Sequence, residues 1–161
     1  MSVPVLSDKE FGLLRDWVFT RAGISMSDAK KQLVMGRLQK RVLHHGLPSY
    51  GDYHRMISSG QAREESQIAL DLLTTNETYF FREPKHFDFL NARALPERQP
   101  GAKFRVWSAA CSSGEEPWSI AMRLAEKLHD GTWEIFASDL STRVLAQAAA
   151  GSIEAQPTFS D

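Results

Sequence analysis

The chain has 161 residues, of which 42% are hydrophobic and 24% charged, and its formal net charge is −1. That is enough apolar material for a globular, soluble protein of one compact domain or two small ones; no run approaches the roughly 18 apolar residues of a membrane span, and the N-terminus "MSVPVLSDKE" lacks the basic and apolar regions of a signal peptide, so a cytoplasmic location is expected. A single cysteine, Cys111, excludes an internal disulfide framework and a multi-cysteine zinc site, and reads as a small buried apolar group.

The first 75 or so residues read as all helical. Ser7 with Glu10 forms a capping-box pattern ahead of the apolar stripe Phe11, Leu14 and Val18, and Gly23 is a stop signal. A second helix is expected from about Asp28 to His45, with Val34, Leu38 and Val42 at i, i+4 spacing and Gly46 closing it. Ser49 with Asp52 caps a third helix carrying Tyr53 and Ile57, and a fourth covers about Ala62 to Leu73. The second helix is unusual in its charge. No acidic residue occurs from Ala29 to Gly51, while Lys30, Lys31, Arg37, Lys40 and Arg41 supply cations and His44 and His45 sit beside them. Lys30, Arg37 and Arg41 share a face away from the apolar stripe. Such a segment is either a docking surface for an acidic partner or a plain solvated face.

The stretch from Leu72 to Glu83, "LLTTNETYFFRE", fits neither a helix period nor a strand alternation. After it, Glu83 to Ala94 reads as a linker helix with Phe87 and Leu90 inward, "RQPGA" as loop and "KFRVWSA" as a strand. In "ACSSGEEPWS", Ser113 or Gly114 caps a helix whose first turn holds Glu115, Glu116 and Pro117. That helix runs through Ile120, Leu124 and Leu128; "WEIFASD" is the next strand, and Ser141 caps a last helix that ends at Gly151. Strand, helix, strand, helix is a parallel α/β pattern with a right-handed crossover.

In an open parallel sheet a ligand lies beyond the carboxyl ends of the strands. The turn from Ser108 to Gly114 is built of small residues, and Asp139 follows the second strand about 25 residues after Gly114, where a carboxylate can accept two hydrogen bonds from a ribose diol. The phosphate-binding glycine pattern is absent. Glu115 and Glu116 would repel a pyrophosphate but suit a cationic centre or an ammonium group, as in a nucleoside carrying a sulfonium and an amino acid tail. The five histidines show no metal-ligand spacing, and the basic helix lacks the interleaved aromatics of a nucleic-acid surface.

"LLTTNETYFFRE", "FRVWSAACSSGEEPWSIA" and "IFASD" together resemble the chemotaxis receptor methyltransferases, the CheR family, and the resemblance extends from about Ser7 to Gly151. It implies a helical N-terminal receptor-docking domain (1–75), a cofactor-contacting segment and linker helix (76–94), and the first βαβα part of a Rossmann-like class I methyltransferase domain (95–161) that binds S-adenosyl-L-methionine and releases S-adenosyl-L-homocysteine. The implied reaction is methyl esterification of glutamates on the cytoplasmic helical domain of chemoreceptors. By position, Asn76, Thr78, Arg82, Ala109, Ala110, Glu116 and Asp139 would contact the cofactor; Arg82 would also serve the reaction centre, clamping either the cofactor's carboxylate or the incoming glutamate. Phe80 and Phe81 would wedge this segment against the sheet. Arg37, Lys40 and Arg41 would dock the receptor, and reversing Arg37 and Arg41 should weaken docking without melting the domain.

Members of the family continue beyond the point where this chain ends, with further strands, an asparagine-leucine turn, an "RN" pair and a tyrosine near the methyl group; Trp118 stands where many have tyrosine. The chain thus reads as the N-terminal portion of such an enzyme, or as a non-catalytic module of the same family. A portion of this kind should self-associate through an open sheet edge, or be held with its remainder.

Overall fold

The computed structural model describes residues 4–99, 101–129 and 131–151. It divides into two compact units, Met1–Thr74 and Thr75–Asp161. Residues of the tail "GSIEAQPTFSD" after Gly151 lie outside the described residues.

Among the described residues the first unit holds four α-helices: α1 (Asp8–Ala22), α2 (Lys31–His44), α3 (Tyr50–Ser58) and α4 (Arg63–Leu73). Each boundary has a local cause. At α1, Glu10 N–H donates to Ser7 Oγ (3.3 Å) and Ser7 N–H returns to Glu10 Oε2 (2.9 Å), so two orphan donors satisfy each other. Gly23, at φ 68°, ends the helix with its N–H on Phe19 O. Ser49 caps α3 through Asp52 N–H (3.1 Å). The expected single helix from Asp28 to His45 instead opens with a 3₁₀ turn, Asp28–Lys30, before α2 begins.

Val34, Leu38 and Val42 of α2 meet Phe11, Leu14 and Val18 of α1, Tyr50, Tyr53 and Ile57 of α3, and Ala69, Leu70 and Leu73 of α4 in one core. A carboxylate sits within this shell. Glu65, its side chain only 8% exposed, accepts Arg41 Nε–H (2.8 Å) and the Tyr53 hydroxyl (2.7 Å) on one oxygen, and Arg41 Nη2 and His45 Nε2 lie against the other. Burial pushes the Glu65 carboxyl up, but the bonds from Arg41, Tyr53 and His45 outweigh it and hold the pKa at about 2. Arg37 also turns inward, donating from Nη1 to the carbonyls of Leu73 (3.3 Å) and Thr74 (3.1 Å), where a cation complements the C-terminal end of α4.

The second unit holds α5 (Pro84–Phe89), β1 (Phe104–Ser108), α6 (Glu115–Lys127), β2 (Trp133–Ala137) and α7 (Thr142–Ala150). The expected linker helix is real but divided: Pro84 starts α5, and Leu90–Ala94 widens into a π-helical turn. β1 and β2 pair in parallel from Phe104↔Trp133 to Ser108↔Ala137. Phe104, Val106, Trp133 and Ile135 point to one face, packed with Ile120, Leu124 and Leu128 of α6 and with Phe87, Leu90 and Leu95. On the other face, Arg105 and Lys103 pair with Glu134 (2.6 and 3.0 Å), and Trp107 and Phe136 remain 66% and 65% exposed. Among the described residues β1 has no strand on its second edge.

Because the folded pKa of Glu65 lies below its ordinary 4.5, its contribution is present above pH 4.5 and is lost as pH falls toward 2. Circular-dichroism melts of the chain should show the helical unit losing stability across that window, and Glu65→Gln should both lower the neutral-pH melting temperature and flatten its acid dependence.

Candidate functional site

The site grows from the way the two strands end. Beyond the last sheet pair the ladder continues: Ser138 N–H donates to Ser108 O (2.9 Å) and Cys111 N–H to Ser138 O (3.0 Å). The Trp107 indole N–H reaches Ser138 Oγ (3.0 Å). The loop after β1 and the loop after β2 are therefore stitched together. Asp139 completes the join, its Oδ2 accepting Ser112 N–H and its Oδ1 accepting Ser141 N–H, both at 2.9 Å.

Two backbone features shape the loop after β1. Ser112 adopts φ 49°, a left-handed conformation that costs a non-glycine residue on the order of 1–3 kcal/mol. Its bond to Asp139 offsets part of that, and its hydroxyl also donates to Asn76 O (3.1 Å), tying in the segment that precedes Arg82. Gly114 at φ 110° then caps α6, where a Cβ would lie 3.2 Å from Ala148 Cα and from Trp118 Cδ1. Of the two expected caps Gly114 is thus the one used. Ser113 instead turns its hydroxyl to the Glu115 carboxylate (2.8 Å).

The residues singled out from the sequence fall into distinct settings. Asp139 and Asn76 are half-buried, and Thr78 is buried. Ala109 and Ala110 are exposed, and the Ala109 carbonyl accepts the Ser138 hydroxyl (3.5 Å). Of the acidic pair, Glu115 is buried against Ser113, whereas Glu116 is half-buried, accepts the Ser108 hydroxyl (2.6 Å) and lines an open cleft of about 360 Å³ with Phe87, Phe89, Arg105 and Trp107. Only Glu116 therefore presents its charge at a cavity. Arg82 is exposed and reaches back to Glu77 O (3.2 Å). On either side of it Phe81 (φ 56°) and Glu83 (φ 58°) are left-handed. The Phe81 ring meets Phe87 of α5 (5.3 Å) and lies under the Arg123 guanidinium of α6 (5.7 Å), and Phe80 stays 40% exposed.

Cys111 is fully buried, and burial pushes its thiol up, followed by the field of Asp139; it is a packing residue here. Among the described residues no group of histidine, cysteine, aspartate and glutamate side chains could hold a metal ion, and no helix is long and apolar enough to cross a membrane. On α2, Lys40 is exposed, but Arg37 and Arg41 are committed to bonds within the unit. The expectation that both arginines could be reversed without melting the domain is corrected accordingly, since Arg41→Glu would set two carboxylates against each other in a buried place. Sequence reasoning missed Ser112, whose only outward sign is its place in a small-residue turn, and Glu65, an acidic residue in the first turn of α4 facing the acid-free α2.

This is the architecture of a small helical domain and a nucleotide-binding type α/β unit with an acidic residue beyond the second strand. Residues 9–74 match the family model described as "CheR methyltransferase, all-alpha domain", and residues 76–158 match "CheR methyltransferase, SAM binding domain". The chain belongs to the CheR methyltransferase family, whose cofactor is S-adenosylmethionine. It is 44% identical over 148 residues to a chemotaxis protein methyltransferase of Escherichia coli K12, covering 91% of this chain and 51% of that protein. It is 38% identical over 165 residues to chemotaxis protein methyltransferase 2 of Vibrio cholerae (97% and 56%) and 35% identical over 156 residues to a chemotaxis protein methyltransferase of Borreliella burgdorferi (91% and 55%). The chain spans about half the length of the curated relatives it matches.

Gly114→Ala should destabilise the α/β unit by about 1–3 kcal/mol, from positive φ together with the contacts a methyl would make. Differential scanning calorimetry should place that loss in the transition of the second unit and leave the helical unit's transition unchanged.

Proposed function

We propose that this chain serves the transfer of a methyl group from S-adenosylmethionine to glutamate side chains on the cytoplasmic helical domain of chemoreceptors. The observation that carries this reading is the Asp139 join, which holds a small-residue loop with exposed Ala109 and Ala110 beside a half-buried carboxylate at the carboxyl ends of two parallel strands. When bound, the cofactor would supply an activated sulfonium methyl: a glutamate carboxylate oxygen would attack the methyl carbon in line, the O–CH3 bond forming as the C–S bond breaks and S-adenosylhomocysteine leaves as the thioether. The chain's residues then have to position and desolvate, not to move protons.

The residues fit such a guest. Asp139 has one backbone donor on each oxygen, and each oxygen keeps a further acceptor position for a ribose hydroxyl. Glu116, at its cleft, offers negative charge to a cationic ligand. Asn76 and Thr78 approach from the segment that Ser112 ties down, and the exposed Arg82 guanidinium is suited to a bidentate grip on the cofactor's tail carboxylate. On the helical unit Lys40 carries docking to an acidic receptor surface, with Arg37 and Arg41 serving chiefly to hold α2 against α4. A cytoplasmic setting follows from such a substrate.

Isothermal titration with S-adenosylhomocysteine tests the cofactor reading. Asp139→Asn keeps one acceptor for the loop but weakens the ribose contact, and should lower affinity about tenfold; parental affinity overturns the role. For docking, Lys40→Glu should weaken binding to receptor-containing membranes increasingly as salt is lowered, while leaving the melting temperature unchanged. The β1 edge, which carries no further strand among the described residues, and the Trp107–Phe136 face make self-association the expected behaviour of the 161-residue chain; light scattering that found a stable 18.1 kDa monomer would refute it.

A further inference from the structure

Left-handed Phe81, next to Arg82, needs something to hold it, and the hold comes from α6. Ser119 is fully buried on the second turn of that helix; its hydroxyl donates to Glu115 O (2.6 Å), one turn back, and accepts Phe81 N–H (2.9 Å). One turn further along, Arg123 covers the Phe81 ring. Phe81 is thus fixed at its amide by Ser119, and at its ring by Arg123 and Phe87. At the far end of the same loop the Arg82 side chain closes on Glu77 O.

We infer that Ser119 is a positioning residue for Arg82: by taking the Phe81 amide it fixes the left-handed backbone on which Arg82 is mounted, and so sets how the guanidinium meets the cofactor's amino acid tail. The inference rests on the reading of Arg82 given above. Its chemical logic is that of a hydroxyl with one proton and two lone pairs. The proton goes to the helix carbonyl, which orients a lone pair toward the loop amide. An amide held by water at that place would leave Phe81 free to return to the ordinary φ region, swinging Arg82 with it. Because Glu116 occupies the first turn of α6 and Ser119 and Arg123 the next two, one rigid helix references both the cleft that Glu116 lines and the arginine loop.

The test uses the full chain and three variants, Ser119→Ala, Ser119→Thr and, as a site control, Arg82→Ala. Threonine in a helix can place its hydroxyl on the i−4 carbonyl as Ser119 does, so it should restore what alanine removes. Amide exchange followed by NMR should show Phe81 losing about tenfold in protection in Ser119→Ala, the worth of one hydrogen bond, with Val42 and Tyr53 of the helical unit unchanged. Calorimetry should show Ser119→Ala and Arg82→Ala weakening S-adenosylhomocysteine binding while leaving methylthioadenosine, which lacks the amino acid tail, at parental affinity. Parental protection at Phe81 in Ser119→Ala overturns the inference whether or not ligand binds. Lost protection with parental affinity for S-adenosylhomocysteine, or equal weakening of both nucleosides, also overturns it, the last marking general loosening. A parent chain that binds neither nucleoside overturns the reading of the site itself, and amide exchange at Phe81 then decides by itself whether Ser119 holds the loop.

Discussion

The α/β unit depends on one carboxylate with two amides on it. Asp139 receives Ser112 N–H from the loop after β1 and Ser141 N–H from the start of α7, so a single side chain fixes both connections at the carboxyl ends of the strands. Without it, Ser112 would keep only its hydroxyl bond to Asn76 O to hold it left-handed, and its amide would lose its partner. The residue proposed to receive the ribose is therefore the same one that builds the loop around it. Binding and architecture share an atom pair here, which is why a conservative Asp139→Asn change is more informative than removal of the side chain.

The helical unit uses a related device for a different end. Glu65 gathers Arg41, Tyr53 and His45 from α2, α3 and the turn after α2, and its buried charge is acceptable because every donor points at it. The absence of acids in α2 takes on a second meaning in this light. A helix with no internal counterions has its arginines available for groups elsewhere, and Arg37 and Arg41 find the end and the start of α4. What looks in the sequence like a uniform basic face is a division of labour, with Lys40 outward and the two arginines inward.

What could be read in advance was what is local. Ser7, Ser49 and Ser141 cap helices and Gly23 and Gly151 stop them through bonds that span only a few residues, so composition at those positions sufficed. Strand positions followed from short apolar runs between turn signals, and Asp139 from its place after the second of them. Contacts between distant positions left no such trace. Arg41 and Glu65 are 24 residues apart, and Phe81 and Ser119 are 38 apart; nothing in either neighbourhood names the other. Left-handed Phe81 and Glu83 were equally hidden, since bulky residues disfavour that region, and Phe81 is held there by its bond to distant Ser119. The π-helical turn after α5 escaped for the same reason, being a choice among helix types that periodicity barely distinguishes.

The ladder that runs past the sheet through Ser138 also limits how this region can change. Ser108, Cys111 and Ser138 are matched bond for bond across two loops, and Ser112 is matched to Asp139 one step later. One inserted residue on either side would shift every later partner out of reach, much as a dropped stitch displaces the rest of a seam. Substitution is open to this loop wherever the side chain is small, but insertion and deletion are not. Its length is a mechanical dimension of this region, set by the spacing of two strands.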